Sequence, residues 1–80
     1  MSNLSPPLYV RAEWDPEASV WVASSDEVPG LITEADTIEA LVTKLESLIP
    51  ELLELNTGSR HEQVPFELLA RRFDVARTSA

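Results

Sequence analysis

An apolar stripe in residues 37–55 is the longest regular pattern in the sequence. Its apolar side chains recur every three or four positions, which places them on one side of an α-helix. The stripe consists of Ile38, Leu41, Val42, Leu45, Leu48, Ile49, Leu52 and Leu53. Because such a helix occupies much of a chain of 80 residues, the other elements must supply the surface on which it packs.

Local signals predict both ends of this helix. Asp36 lies before it and Glu39 follows three positions later, the spacing of a reciprocal capping box. Asn56 or Gly58 can adopt the left-handed conformation that ends a helix. Pro50 lies inside the stripe and lacks an amide hydrogen, so we expect a kink there or two short helices in series.

Two segments before the helix predict a β-hairpin. Residues 8–14 alternate between apolar and polar side chains, the period of a half-buried strand. Residues 20–25 are rich in β-branched and aromatic side chains. Between them, Pro16 suits the second position of a type I turn. A third strand, residues 31–35, is predicted after the Val-Pro-Gly turn.

The register of the hairpin decides which side chains are exposed. If Trp14 opposes Val20, then Val20 and Val22 join the apolar face and Trp21 stands on the polar face. With a loop one residue shorter, Trp21 joins Trp14 and the valines turn outward, because a one-residue slip exchanges the two faces. We favour the first register because it buries more apolar surface and keeps the charged side chains of the first strand in water.

The two ends of the chain are predicted differently. Residues 1–7 contain two prolines and few apolar anchors, so we expect a disordered tail before a single domain over residues 8–77. Residues 64–77 fit a helix and a strand equally well, since Phe66 and Ala70 are suitably spaced for both.

The charge of the chain is strongly acidic. Fourteen acidic residues against six basic ones give a net charge of −8. Residues 1–55 hold eleven of the acids and only Arg11 and Lys44, a net charge of −9. This charge repels phosphate backbones, so direct nucleic-acid binding is not expected, whereas a basic protein would be attracted. The simpler alternative is that the charge serves solubility.

An acidic metal-dependent active site is the main enzymatic alternative. Asp26, Glu34 and Asp36 lie close in sequence, but Asp36 is already explained by the helix start, and no histidine or lysine lies near enough to act as a base. His61, the single histidine, sits in an apparent loop with too few partners for a metal site or catalytic dyad. We therefore expect no enzyme, metal or cofactor.

Compartment signals are few. The sequence contains no cysteine, and its N-terminus lacks the basic and apolar regions of a signal peptide. It also lacks an apolar run of the roughly 20 residues that a membrane span needs. We expect a soluble cytoplasmic protein.

Residues 9–56 resemble the HicB-like antitoxin domains of bacterial toxin–antitoxin pairs, in a short branch without a C-terminal DNA-binding module. The matching pieces are Trp14-Asp15, Glu17-Ala18, Val20-Trp21-Val22-Ala23, Val28-Pro29-Gly30-Leu31 and Asp36-Thr37. The resemblance implies an α+β fold with the order β-β-β-α-β, in which one helix packs on a small antiparallel sheet in a partial ribonuclease-H-like arrangement. It also implies that residues 64–75 form the fourth strand.

The resemblance further implies a function. HicB-like proteins neutralise a small basic toxin that cleaves RNA, so we expect an antitoxin-like module that sequesters a HicA-like partner. From charge and expected exposure, Trp21, Asp26, Glu27 and Glu34 are the predicted contacts. A homodimer or higher homo-oligomer is also expected. The alternative is a stand-alone structural or regulatory domain that self-associates and has no toxin partner.

Overall fold

Five elements make up the described part of the chain, in the order strand, strand, strand, helix, strand. The computed structural model describes residues 6–60 and 62–78. The expected tail at residues 1–7 therefore falls mostly outside the described residues, as does the loop position predicted for His61. The elements are β1 (Leu8–Asp15), β2 (Val20–Ser24), β3 (Ile32–Ala35), α1 (Ile38–Thr57) and β4 (Phe66–Arg71). The chain is thus a small α+β fold, and residues 66–71 form a strand.

The sheet is mixed, with the strand order β3-β2-β1-β4. β1, β2 and β3 are antiparallel neighbours, but β4 pairs with β1 in parallel. The predicted antiparallel sheet therefore holds for β1, β2 and β3, and the parallel pairing of β4 departs from it. Its cause is the direction of α1: β3 runs in the same sense as β1, the helix carries the chain back, and the next strand must again run with β1.

The hairpin adopts the register with the shorter loop. Trp14 lies opposite Trp21, and Asp15 lies opposite Val20. The favoured prediction, Trp14 opposite Val20, is therefore wrong. The Asp15 carboxylate accepts a hydrogen bond from the amide of Glu17 at 3.0 Å. Ser19, with a left-handed φ of 58°, donates its amide to the Asp15 carbonyl at 2.8 Å. These two bonds close the loop one residue earlier than expected.

This register exchanges the predicted faces of β2. Trp21 lies on the side of the sheet that α1 covers, where its ring meets that of Trp14 edge to face, with centroids 5.3 Å apart. The opposite side of the sheet is here named the open face. By strand alternation and register, its residues are Tyr9, Arg11, Glu13, Asp15, Val20, Val22, Ser24, Ile32, Glu34, Glu67, Leu69 and Arg71.

The core lies between α1 and the sheet. Leu41, Leu45 and Ile49 of the predicted apolar stripe are completely buried. Small side chains of the sheet face them, because Ala12 and Ala23 are also fully buried. Without a bulky side chain at these positions, the helix can approach the strands closely. Val28 and Leu31 extend the core beneath the turn between β2 and β3.

The ends of α1 confirm one prediction and correct another. Gly58 ends the helix with a left-handed φ of 75° and donates its amide to the Glu54 carbonyl at 2.8 Å. At the other end the N-cap is Thr37, whose hydroxyl accepts the amide of Ala40 at 3.0 Å. The capping box predicted from Asp36 and Glu39 is therefore wrong by one position.

Pro50 lies within one continuous helical element, Ile38–Thr57. The alternative of two short helices in series is therefore wrong. Proline lacks the amide that would close a bond to the preceding turn, so one helical hydrogen bond is missing at this point. Tertiary packing of the neighbouring Ile49, which is fully buried, supports the helix there.

The corrected N-cap can be tested by two single substitutions. Thr37→Ala removes the hydroxyl that accepts the Ala40 amide. We expect it to lower the free energy of unfolding by about 1 kcal/mol. Asp36→Ala, the matched control, should cost less than about 0.5 kcal/mol because its carboxylate contributes only through the helix dipole. Urea unfolding followed by circular dichroism measures both, and a larger loss for Asp36→Ala would restore the original capping prediction.

Candidate protein-binding surface

The turn between β2 and β3, residues 25–30, is held firmly against the start of β1 and is here named the acidic turn. The amide of Tyr9 donates to Glu27 Oε1 at 2.6 Å. The Ser25 hydroxyl donates to the Tyr9 carbonyl at 2.7 Å and accepts the amide of Glu27 at 3.0 Å. The side chains of Glu27 and Ser25 thus bond the backbone of Tyr9 beyond the end of β2, where no strand residue is available to do so. The Glu27 carboxylate therefore has a structural role.

The other side of the acidic turn is fixed to the core and to α1. Val28 is fully buried, and its carbonyl accepts the amide of Leu31 at 3.1 Å. The side-chain amide of Asn56, near the end of α1, donates to the Pro29 carbonyl at 3.1 Å. Gly30 has a φ of 87°, a conformation that side-chain-bearing residues rarely adopt. The exposed carboxylates of this turn are consequently presented from a defined backbone.

Asp26 forms an ion pair with Arg11 at the margin of the open face. The Arg11 guanidinium donates to Asp26 Oδ2 at 3.2 Å. This hydrogen bond, together with coulombic attraction, lowers the pKa of Asp26 and raises the pKa of Arg11. Because the folded pKa of Asp26 is lowered, any stabilisation is present above the ordinary aspartate range and is lost as the pH falls through the folded pKa.

Solvent screening limits what this ion pair contributes. The side chain of Asp26 is 85% exposed and that of Arg11 is 41% exposed, so the pair adds little to stability. Its main consequence is positional. Asp26 remains an anion at neutral pH and is drawn toward Arg11, a residue of the open face.

Two rows of side chains cross all four strands on the open face, and they end at Leu69 and Arg71 of β4. In one row, Val22 of β2 lies between Glu34 of β3 and Glu13 of β1. The two glutamates are one strand to either side of Val22, so their Cα atoms are about 9.5 Å apart. In the neighbouring row, Ser24 lies between Ile32 and Arg11. The open face therefore carries two carboxylates that flank an apolar position.

Large apolar side chains are exposed on this face. Ile32 is 74% exposed, Leu69 is 49% exposed and Tyr9 is 38% exposed. Val22 is half-buried between its neighbours. Single exposed apolar residues are ordinary, but these share one side of one sheet. The described part of α1 packs on the other side, so it does not cover them.

Of the four contact residues predicted from the sequence, two lie at or on the open face and two have other surroundings. Asp26 and Glu34 lie at or on the open face, as expected for a surface role. Glu27 uses a carboxylate oxygen to hold β1. Trp21, predicted on the polar face, is half-buried on the helix side next to Trp14, so the premise for its contact role is wrong.

Glu13 is the residue that sequence reasoning missed. The alternation of β1 places it among the charged side chains that face water, and nothing in that pattern gives it a partner-binding role. In the observed register its neighbours across the strands are Val22 of β2, with Glu34 beyond it, and Arg71 of β4 on the other side. The alternative register, with the shorter hairpin loop, does indicate this position, because it places the valines of β2 on the same face as Glu13.

The described residues contain few features of an active site. No polar or charged residue among them is buried. Within residues 6–60 and 62–78, no group of three or more histidine, cysteine or acidic side chains is placed to hold a metal ion. An open groove of about 450 Å³ between α1 and β3 is lined by Thr33, Thr43, Lys44, Ser47, Leu48 and Glu51. The Lys44 ammonium there donates to the Glu34 carbonyl at 2.6 Å.

Across the part of the chain that the structure describes, no helix combines the length and apolar character needed to cross a bilayer.

Comparisons with known proteins agree on the extent of the domain. Residues 7–78 match the model of a family described as Domain of unknown function (DUF1902). The crystal structure of hypothetical protein TTHA1013 from the extremely thermophilic bacterium Thermus thermophilus is 46% identical and superposes with a TM-score of 0.68. That similarity covers 91% of this chain and 100% of the other. No curated protein matches the chain.

Proposed function

This chain belongs to the family described as Domain of unknown function (DUF1902), and we propose that it acts as a non-enzymatic binding module for a small basic protein. The observation that carries the proposal is the arrangement of Glu34, Val22 and Glu13 across the open face. An apolar position flanked by carboxylates suits lysine and arginine side chains. Their aliphatic stems can lie on Val22 and Ile32 while their charged ends reach the glutamates.

The net charge supports the same kind of partner. The described N-terminal part of the chain, residues 6–55, carries eleven acids against Arg11 and Lys44, a net charge of −9. A charge of this size raises the rate at which a cationic protein finds its binding surface. Counter-ions screen the attraction, so the association rate should depend strongly on salt concentration.

We further propose that the basic partner is a HicA-like, RNA-cleaving toxin, which makes this chain an antitoxin-like module of the cytoplasm. The support is the resemblance of residues 9–56 to HicB-like domains, together with the acidic charge. A toxin that binds RNA presents a cationic surface, and an acidic binding module can occupy that surface in place of RNA. Occlusion of the RNA site would neutralise the toxin without any catalytic step.

A stand-alone structural or regulatory domain that only self-associates is the second candidate. The exposed apolar side chains of the open face favour it, because a second copy could cover them as well as a foreign protein could. The neighbouring open reading frame distinguishes the two. A small, basic product encoded there favours the antitoxin function, and its absence favours the second candidate.

Stopped-flow association of the chain with the product of that neighbouring reading frame tests the proposed function. We expect binding whose association rate falls roughly tenfold or more as ionic strength rises from about 0.02 M to about 0.3 M, because steering is screened. RNA cleavage by the product should fall in parallel when the chain is added. The absence of binding, or an association rate indifferent to salt, would contradict the proposal.

A further inference from the structure

The segment that follows β4 exposes apolar side chains that do not pack in the core. Residues 72–78 are here named the arm. Phe73 is 85% exposed and Val75 is 73% exposed. The arm contains no helix, turn or bend, so its backbone follows an extended path. Two large apolar side chains two positions apart in an extended segment lie on one side of it, where a partner could cover them.

The first residues of the arm are fixed to the domain. The Arg72 guanidinium lies over the Trp14 ring, 4.3 Å from its centroid. Arg72 Nε also donates to Asp74 Oδ2 at 2.7 Å. Because Trp14 belongs to β1, the contact with its ring keeps the first residue of the arm beside the sheet. The arm therefore begins from a defined position.

β4 offers this arm a place to bind on another copy. It is an edge strand, because β1 occupies only one of its sides in the order β3-β2-β1-β4. Exposed edges can pair with a further strand. The other edge strand, β3, has four residues, whereas β4 and the arm together make thirteen residues of extended chain without a proline. The longer edge is the better template.

Charge complementarity identifies a second copy as the occupant. The arm contains Arg72 and Arg77 against Asp74, a net charge of +1. Residues 1–55 of the same chain have a net charge of −9. The basic arm of one copy is therefore attracted to the acidic domain of another copy. If two copies exchange arms, each acidic domain binds the basic arm of the other copy.

We propose that each arm pairs antiparallel with β4 of a second copy, so that two sheets join across a two-fold axis near Arg72. In this register Arg77 lies opposite Glu67 of the other copy and Val75 lies opposite Leu69. Phe73 lies opposite Arg71, whose guanidinium can stack on the ring. All three pairs fall on the open-face side of the joined sheet, because directly opposed residues of antiparallel strands share a face.

Neighbouring registers fit less well. An axis at Arg71 places the two Arg71 side chains together and sets Val75 opposite Glu67. An axis at Phe73 sets Arg77 opposite Leu69. The axis at Arg72 does bring two arginines together, but each already has Asp74 as its ion-pair partner. This is the register that combines an opposite-charge pair with an apolar pair.

Disulfide trapping tests the register directly, since the sequence contains no cysteine. We expect Leu69→Cys with Val75→Cys in the same chain to give a covalent dimer under mild oxidation, because opposed Cα atoms lie about 4.5–5.5 Å apart, within disulfide reach. Each single variant should remain monomeric on a non-reducing gel, because identical positions are about 20 Å apart across the axis. No cross-link in the double variant, or equal cross-linking in a single variant, would overturn the register.

A charge exchange tests the same contact without a covalent bond. Sedimentation equilibrium of the full chain should show a dimer, and Arg77→Glu or Glu67→Arg alone should raise its dissociation constant roughly tenfold. The double variant should return it to within about threefold of wild type. Since these residues are exposed, folding should be unaffected. A wild-type monomer, or a dimer insensitive to every variant, would overturn the proposal, and neither result depends on a basic partner.

Discussion

The double variant Glu13→Lys with Glu34→Lys is expected to bind the basic partner about thirtyfold more weakly than wild type. The two glutamates flank Val22 on the open face. Replacing them with lysines converts two attractive contacts into repulsive ones, which costs about 2 kcal/mol of binding free energy. Neither residue is buried, but Glu13 lies opposite Arg71, so we expect the lysine there to lower the free energy of unfolding by up to about 1 kcal/mol. Isothermal titration calorimetry measures the effect on binding.

A charge-matched variant separates local contact from general attraction. Glu46→Lys with Glu51→Lys changes the net charge equally but alters the exposed side of α1. We expect this control to slow association through weaker steering while leaving the dissociation rate nearly unchanged. The open-face variant should also accelerate dissociation. Equal dissociation rates for the two variants would show that the open face is not the binding surface.

Leu45→Ala is expected to lower the free energy of unfolding by about 3 kcal/mol. Leu45 is fully buried at the centre of the α1 stripe, opposite a sheet whose small side chains cannot expand to fill a cavity. A domain of 80 residues has a total stability of only about 4–12 kcal/mol. The substitution should therefore lower the melting temperature by about 15 °C, as measured by circular dichroism.

Leu55→Ala is the matched control on the same helix. Leu55 is 77% exposed, so its truncation should change the unfolding free energy by less than about 0.5 kcal/mol. If the two substitutions had equal effects, the assignment of the α1 stripe to the core would be wrong.

The secondary structure was largely predictable because its signals are local. The spacing of Leu41, Leu45 and Ile49 indicates a helix without any tertiary information, and all three are buried in the core. The hairpin register was not predictable in the same way. It depends on how Asp15 hydrogen-bonds the loop backbone, and one residue of loop length determines which face Trp21 occupies. Maximising buried valine surface favoured the wrong register because it ignored those bonds.

The direction of β4 required the whole topology. Sequence patterns indicate that residues 66–71 can be a strand, but not which strand they join. Only once α1 runs back along the sheet does the parallel pairing with β1 follow. The N-cap shows the same limit on a smaller scale. Asp36 and Thr37 are both good caps by type, and the backbone places the hydroxyl of Thr37 on the Ala40 amide.

The candidate surface was predictable only in part. Asp26 and Glu34 were identified from charge, which is visible in the sequence. The role of Glu27 in holding Tyr9 and the position of Glu13 beside Val22 depend on strand register. The HicA-like identity of the partner is a prediction from resemblance and charge, and a binding experiment tests it.

An NMR titration of the ¹⁵N-labelled chain with the neighbouring basic protein tests the central claim most directly. We predict that the largest amide shifts on binding fall on the open face, at Glu13, Val22, Ile32 and Glu34. Amides on the exposed side of α1, such as those of Glu46 and Glu54, should change little. Shifts confined to α1, or the absence of any shift at equimolar partner, would contradict the account.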